Sequence, residues 1–263
     1  MANSYGVPSL EPSWWANEVR NARKKVDGKK QVLIVSVQGS SGGGEQVLVD
    51  DFVKTALLAK GAGAQIVEAN FSCPNIPGEV CGELYADAGR AGRVAGAIKE
   101  SLAGTPLFVK IGYLPHSDLS DLYQSLCDHV DGIVAINTIS APVLNAKGEQ
   151  AFPDGAPGVS RLTGGISGHA VKPWAKEVCR HLVQLRRAHR SRRLTILAAG
   201  GVLAAQDVFE YLRLGVDGVQ SCTGALLNPY LAYDARTLFS QRSASEWGVG
   251  PQKRSGGRTA RNT

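Results

Sequence analysis

Apolar positions along this chain fall into two alternating rhythms. Runs that are apolar almost throughout (Gln31 to Gln38, Ala64 to Phe71, Pro106 to Ile111, Gly132 to Asn137, Leu194 to Ala199 and Gly218 to Ser221) predict six strands buried on both faces. Between them, Trp14 to Val26, Gln46 to Lys60, Ala88 to Leu102, Asp118 to Val130, Pro173 to His189 and Ala205 to Leu214 carry apolar residues at helical spacing. Such alternation predicts a parallel sheet covered by helices. A doubly wound sheet and a closed barrel both satisfy it, and the polar residues at the strand ends separate them. Gln38-Gly39, Asn70 with Ser72-Cys73, Lys110, Asn137-Thr138, Gly200-Gly201 and Cys222-Thr223 each follow or close a strand. A doubly wound sheet gathers its site at one switch point, whereas a barrel draws on many strand C-termini. The expected fold is an α/β (β/α)8 TIM barrel, of which this sequence carries about six βα units.

Composition narrows the picture. The 263 residues are 43% apolar and 20% charged, with no break before the end, so one barrel domain is expected over 1–240 and a basic, disordered tail over 241–263. After Glu246, the residues Lys253, Arg254, Arg258 and Arg261 supply four of the six net positive charges. A second basic run, Arg186 to Arg193, ends a helix, where cations suit the helix dipole and water. Neither run calls for a nucleic acid. The five cysteines (73, 81, 127, 179 and 222) are odd in number and lack a CxxC pair, which fits reduced thiols in the cytoplasm. The five histidines are scattered without ligand spacing, so no metal is expected. No run approaches the eighteen or so apolar residues that span a bilayer, and no membrane partner is expected. Nucleotide-fold readings lose support too: no GxGxxG follows the first strand, and Gly42-Gly43-Gly44 lacks a P-loop lysine.

The densest chemistry lies in Glu68 to Pro77, which closes one strand and opens a loop with two amides, a hydroxyl and a thiol, stiffened by two prolines. At the end of a barrel strand, such a group could hold and deprotonate a planar, amide-rich ligand. A carboxamide carries one donor group and one acceptor, the complement of a ring edge that alternates carbonyl and N–H. Lys110 ends an otherwise apolar strand and needs an anion or open solvent.

Asn70-Phe71-Ser72-Cys73-Pro74-Asn75 resembles the N-x-S-C-P-N loop of the class 1 dihydroorotate dehydrogenases and of the dihydropyrimidine dehydrogenase flavin domain. Further matches in the same order carry the resemblance from Asn3 to Pro229. They include Asn3-Ser4-Tyr5-Gly6-Val7-Pro8, Lys110, Asn137-Thr138, Gly164-Gly165-Ile166-Ser167-Gly168, Gly200-Gly201, and Cys222-Thr223 where the family has Gly-Thr. The resemblance implies an FMN-dependent oxidation of dihydroorotate to orotate in pyrimidine biosynthesis. Cys73 would be the base at C5, with a hydride leaving C6 for the flavin N5. Asn3, Asn70, Asn75, Asn137 and Thr138 would bind the pyrimidine. Lys110 would lie against the flavin, and Gly164, Gly165, Gly200, Gly201, Cys222 and Thr223 would hold its phosphate. A homodimer or an electron-transfer subunit is the implied partner. In the family the opening loop follows two strands, so the resemblance also implies that a first βαβ segment is missing. Two alternatives stand beside this reading: activity on dihydrouracil or dihydrothymine, which Asn137-Thr138-Ile139-Ser140 fits as well, and a non-catalytic remnant.

Overall fold

A computed structural model describes residues 1–4, 10–40, 43–72, 80–153, 162–189 and 194–241. The expected catalytic Cys73, the expected ligand Asn75 and the tail beyond Gln241 lie outside the described residues. In chain order the elements are β1 (Ala2–Asn3), α1 (Pro12–Lys25), β2 (Ile34–Val37), α2 (Glu45–Ala62), β3 (Ile66–Asn70), α3 (Ala88–Ser101), β4 (Leu107–Ile111), α4 (His116–Leu126) and β5 (Gly132–Ala135). There follow β6 (Ile139–Pro142), β7 (Thr163–Ile166), α5 (Lys172–Ala188), β8 (Thr195–Ala199), α6 (Ala205–Leu214), β9 (Gly218–Gln220), α7 (Thr223–Leu227) and α8 (Leu231–Gln241). Short 3₁₀ turns at Val80–Ala86 and Gly168–Val171 complete the set.

All six expected strands are present and form one parallel sheet in the order β2-β3-β4-β5-β8-β9. Its outer face is small and apolar. Val67, Ala69, Val109, Ile111, Ile133, Ala135, Ile196 and Ala198 are buried in the main core against the surrounding helices. Apolar area removed from water stabilises this layer at roughly 25 cal/mol per Å². The inner face is filled differently. Phe108 covers Gly132, where an added Cβ would stand 2.9 Å from the ring, and Leu197 covers Gly218 in the same manner.

The sheet is curled, and one hydrogen bond measures how far. Four strand steps separate β3 from β9, about 19 Å in a flat sheet. Yet Gln220 Nε2 on β9 donates to Glu68 Oε2 on β3 at 3.3 Å, and Ser36 Oγ on β2 donates to the other oxygen of that carboxylate at 2.9 Å. Glu68 is 4% exposed, so both bonds run through the interior of the curl. Among the described residues β2 pairs only with β3 and β9 only with β8. The result is the incomplete (β/α) barrel predicted from the alternation, with the outer edge of each end strand unpaired among the described residues.

At the N-terminal rim one device recurs. The residue just before a strand uses its side chain to accept a backbone N–H from the preceding strand segment: Gln65 from Leu33, Asp131 from Leu107 and Asp217 from Ile196, each between 2.8 and 3.0 Å. Lys99 pairs with Asp131 and Arg186 with Asp217, so each carboxylate also ties a helix to the sheet. At the opposite rim, β1, β7 and β6 form a small antiparallel sheet that the sequence pattern does not predict.

Candidate active site

The C-terminal ends of the parallel strands surround a cleft of about 450 Å³, within the range of small-ligand sites. It is lined by Asn3, Asn70, Lys110, Asn137, Thr138, Gly200, Gly201, Cys222 and Thr223, nine of the residues expected from sequence. Strand register explains part of this: Asn70 on β3 lies beside Lys110 on β4, so both side chains leave the same face at the same height.

Carboxamides form a relay across one side. Asn70 Nδ2 donates to Gln38 Oε1 at 3.1 Å, while Asn70 Oδ1 accepts from the Ser72 N–H at 3.3 Å and from Asn137 Nδ2 at 3.4 Å. Asn137 Nδ2 also donates to the Ser72 carbonyl, and Asn137 Oδ1 accepts from the Thr138 N–H at 2.8 Å. Three strand ends are thereby locked in one orientation. Gln38 Nε2 is buried without a partner among the described residues, a donor left for something else. Lys110 is half-buried and makes no ion pair with any described residue. Asn3, at the end of β1, donates to the Gly165 carbonyl at 3.3 Å.

The other side of the cleft is glycine-built. Gly200 and Gly201 have φ of +127° and +70°, and Gly168 has +75°, values that side chains rarely adopt. A Cβ on Gly200 would stand 2.8 Å from Ala175 Cβ, and one on Gly201 would meet Lys172 Cβ and lie 3.0 Å from its Cα. The turn therefore rests flush on the first turn of α5, the positive end of a 17-residue helix. Thr223 Oγ1 donates to Ser167 Oγ at 3.2 Å, adding hydroxyls beside that turn.

Lys172 adds no free charge to the cleft, because Asp207 and Glu210 hold its ammonium at 2.5 and 2.9 Å. Burial works against its charged form, but the bonds to the two carboxylates outweigh it and raise its pKa. Burial likewise works against ionised Asp207. Lys172 and the N–H groups of Leu203 and Ala204 reverse that and hold its pKa below the usual carboxylate range.

Two expected phosphate residues sit elsewhere. Gly164 and Gly165 are strand residues of β7, and a Cβ on Gly164 would stand 2.5 Å from Phe152 and 2.9 Å from the Asn3 carbonyl. Of that glycine-rich segment, Ser167 and Gly168 reach the cleft. Its other unanticipated walls include the polar Gln220 and Ser221. The loop that carries Cys73 and Asn75 is described only at its ends. There, the Tyr85 N–H donates to the Phe71 carbonyl at 3.2 Å, and the Tyr85 ring packs over Gly112, where a Cβ would come within 2.5 Å. Ser72, the last described residue before the loop, is buried.

A carboxamide relay, a lysine and a glycine turn over a helix start form a set of donors suited to a ligand with an acceptor-rich ring edge and an anionic tail. A family model described as dihydroorotate dehydrogenase matches residues 1–235, nearly the whole described chain. The chain belongs to the dihydroorotate dehydrogenase family. It is 29% identical over 238 residues to a dihydroorotate dehydrogenase of Dictyostelium discoideum, covering 88% of this chain and 62% of that protein. It is 27% identical over 213 residues to a dihydroorotate dehydrogenase B (NAD(+)) catalytic subunit of Staphylococcus carnosus, covering 80% and 62%. The chain thus spans about three fifths of the length of these relatives. A crystal structure of DHODH from Eimeria tenella in complex with ferulenol superposes with a TM-score of 0.70 at 18% identity, over 94% of this chain and 69% of that one, which supports the barrel fold.

Proposed function

We propose that this chain oxidises dihydroorotate to orotate, a step of pyrimidine biosynthesis, with FMN as its cofactor. The observation that carries the reading is the meeting of the Gln38-Asn70-Asn137 relay with Lys110 and the Gly200-Gly201 turn on one cleft. The residues present fit FMN: a half-buried cation without an ion partner among the described residues, an orphan amide donor at Gln38, and a glycine turn on a helix start. Gly200, Gly201 and Thr223 would hold its phosphate, with Ser167 and Gly168 in the place expected for Gly164 and Gly165. Lys110 would lie beside the ring. FMN, when bound, supplies an acceptor for the hydride that leaves C6 of the substrate.

The chain's own part is to orient the ring and take a proton. Asn3, Asn70, Asn75, Asn137 and Thr138 would bind the pyrimidine edge, and the relay keeps Asn70 and Asn137 from rotating. Cys73 would remove the C5 proton as thiolate. A thiol with a pKa near 8.5 is only a few per cent ionised at neutral pH, so the rate should rise with pH. In FMN-loaded protein, Cys73→Ser should slow anaerobic flavin reduction by about 10²- to 10⁴-fold and move its pH dependence upward. Wild-type-like stopped-flow rates for that variant from about pH 6 to 9 would remove Cys73 from the mechanism.

One observation favours a second substrate. Lys110 is the only cationic side chain among the described residues that line the cleft, and the dihydroorotate carboxylate would call on it as well as the ring. Dihydrouracil lacks that carboxylate. Faster turnover of dihydrouracil than of dihydroorotate would establish the dihydropyrimidine reading. An electron-accepting partner subunit and a cytoplasmic location complete the proposal. Among the described residues no helix is long and apolar enough to cross a membrane.

A further inference from the structure

We infer that Tyr211 is a positioning residue that sets the Gly200-Gly201 peptide so that the Gly201 N–H faces the cleft as an anion donor. This rests on the proposed use of the turn for a phosphate. Tyr211 is fully buried on α6, outside the sheet, and its hydroxyl donates to the Gly200 carbonyl at 2.6 Å. The Gly200-Gly201 bond is trans, since the one cis bond among the described residues is Ala135-Ile136. In a trans peptide the C=O and the following N–H point in opposite directions. A carbonyl drawn outward to Tyr211 therefore turns the Gly201 N–H inward, toward the cleft that both glycines line.

Neighbouring bonds keep the plane from flipping back. Ser221 Oγ donates to the Val202 carbonyl at 2.8 Å, and the Leu203 and Ala204 N–H groups donate to Asp207 at 2.7 and 2.8 Å. The Gly201 N–H itself has no hydrogen-bond acceptor among the described residues. Glycines at positive φ have two accessible peptide orientations, so a single outward hydrogen bond decides between them. The burial that raises the Tyr211 pKa also keeps its hydroxyl protonated as a donor at every ordinary pH.

The test compares FMN with riboflavin, which has the same ring but no phosphate. Tyr211→Phe should weaken FMN binding by about tenfold, the scale of one charge-assisted hydrogen bond, and leave riboflavin binding within about twofold. In parallel, the Gly201 amide resonance of ¹⁵N-labelled protein should move on titration with inorganic phosphate, and that movement should vanish in Tyr211→Phe. Equal weakening of FMN and riboflavin would make Tyr211 merely structural and overturn the inference, as would a Gly201 amide that ignores phosphate in the wild type. If the wild type binds neither flavin while the Gly201 amide still responds, the inference stands and the FMN reading falls.

Discussion

A single methyl group separates space from conformation in the glycine turn. Gly168 and Gly201 have nearly the same positive φ, +75° and +70°. A Cβ on Gly168 would touch Thr223 Cγ2 at an ordinary 3.5 Å, whereas one on Gly201 would run into Lys172, which two carboxylates hold in place. Gly168→Ala should therefore cost only the left-handed strain, about 1–2 kcal/mol. Gly201→Ala should add an overpacking cost of about 1–3 kcal/mol. Urea midpoints of the two variants measure the difference, and equal midpoints would mean that Lys172 yields.

At the scale of elements, α6 has an acid-sensitive start. Asp207 caps it by accepting from Leu203 and Ala204 while paired with Lys172. Its folded pKa lies below the ordinary 3.8, so its stabilising contribution is complete above about pH 4 and fades as the pH falls through the lowered value. Asp207→Asn should be less stable than wild type at neutral pH, and that gap should narrow as the pH falls below the ordinary 3.8. A gap that stays constant would count against the ion pair as its source.

The same elements show what the sequence makes legible. Six strands and six helices follow from hydrophobic rhythm because each buries a continuous face, and observed ends differ from expected ones mostly by one to four residues. β1, β6 and β7 escape that rhythm: β1 has two residues, β7 contains Gly164-Gly165 and β6 ends in Pro142, so none alternates clearly. α7 and α8 were also unexpected, although Leu231, Ala235 and Leu238 recur at helical spacing. Cleft residues at strand ends were legible as polar breaks in apolar runs. Tyr211 was not, because a buried tyrosine on a helix looks like core until its hydroxyl is seen to reach Gly200. The rim ties did leave a signal, in the repeated Val-Asp-Gly of 130–132 and 216–218.

For the whole molecule, the curled sheet with two unpaired edges sets an order of local stability. Amides of β4 and β5 lie between strands on both sides, while β2 and β9 have one strand partner each among the described residues. Hydrogen exchange should protect β4 and β5 most and β2 and β9 least, because edge strands open with fewer bonds broken. Equal protection at the edges would show that something covers them. Unpaired edges of a parallel sheet also favour association, so apparent mass in sedimentation should rise with concentration.

The carboxylate ties at the N-terminal rim have a consequence for how this chain can change. Strands of four and three residues, spanning roughly 10–16 Å, separate Asp131 and Asp217 from the cleft. At that distance substitutions combine almost additively. One rim can thus accumulate stability while the other explores ligands, and neither change need await the other. A reinforced lower rim gives the cleft room to lose a favourable contact and survive, which is how a fold acquires a new substrate without first acquiring a new core.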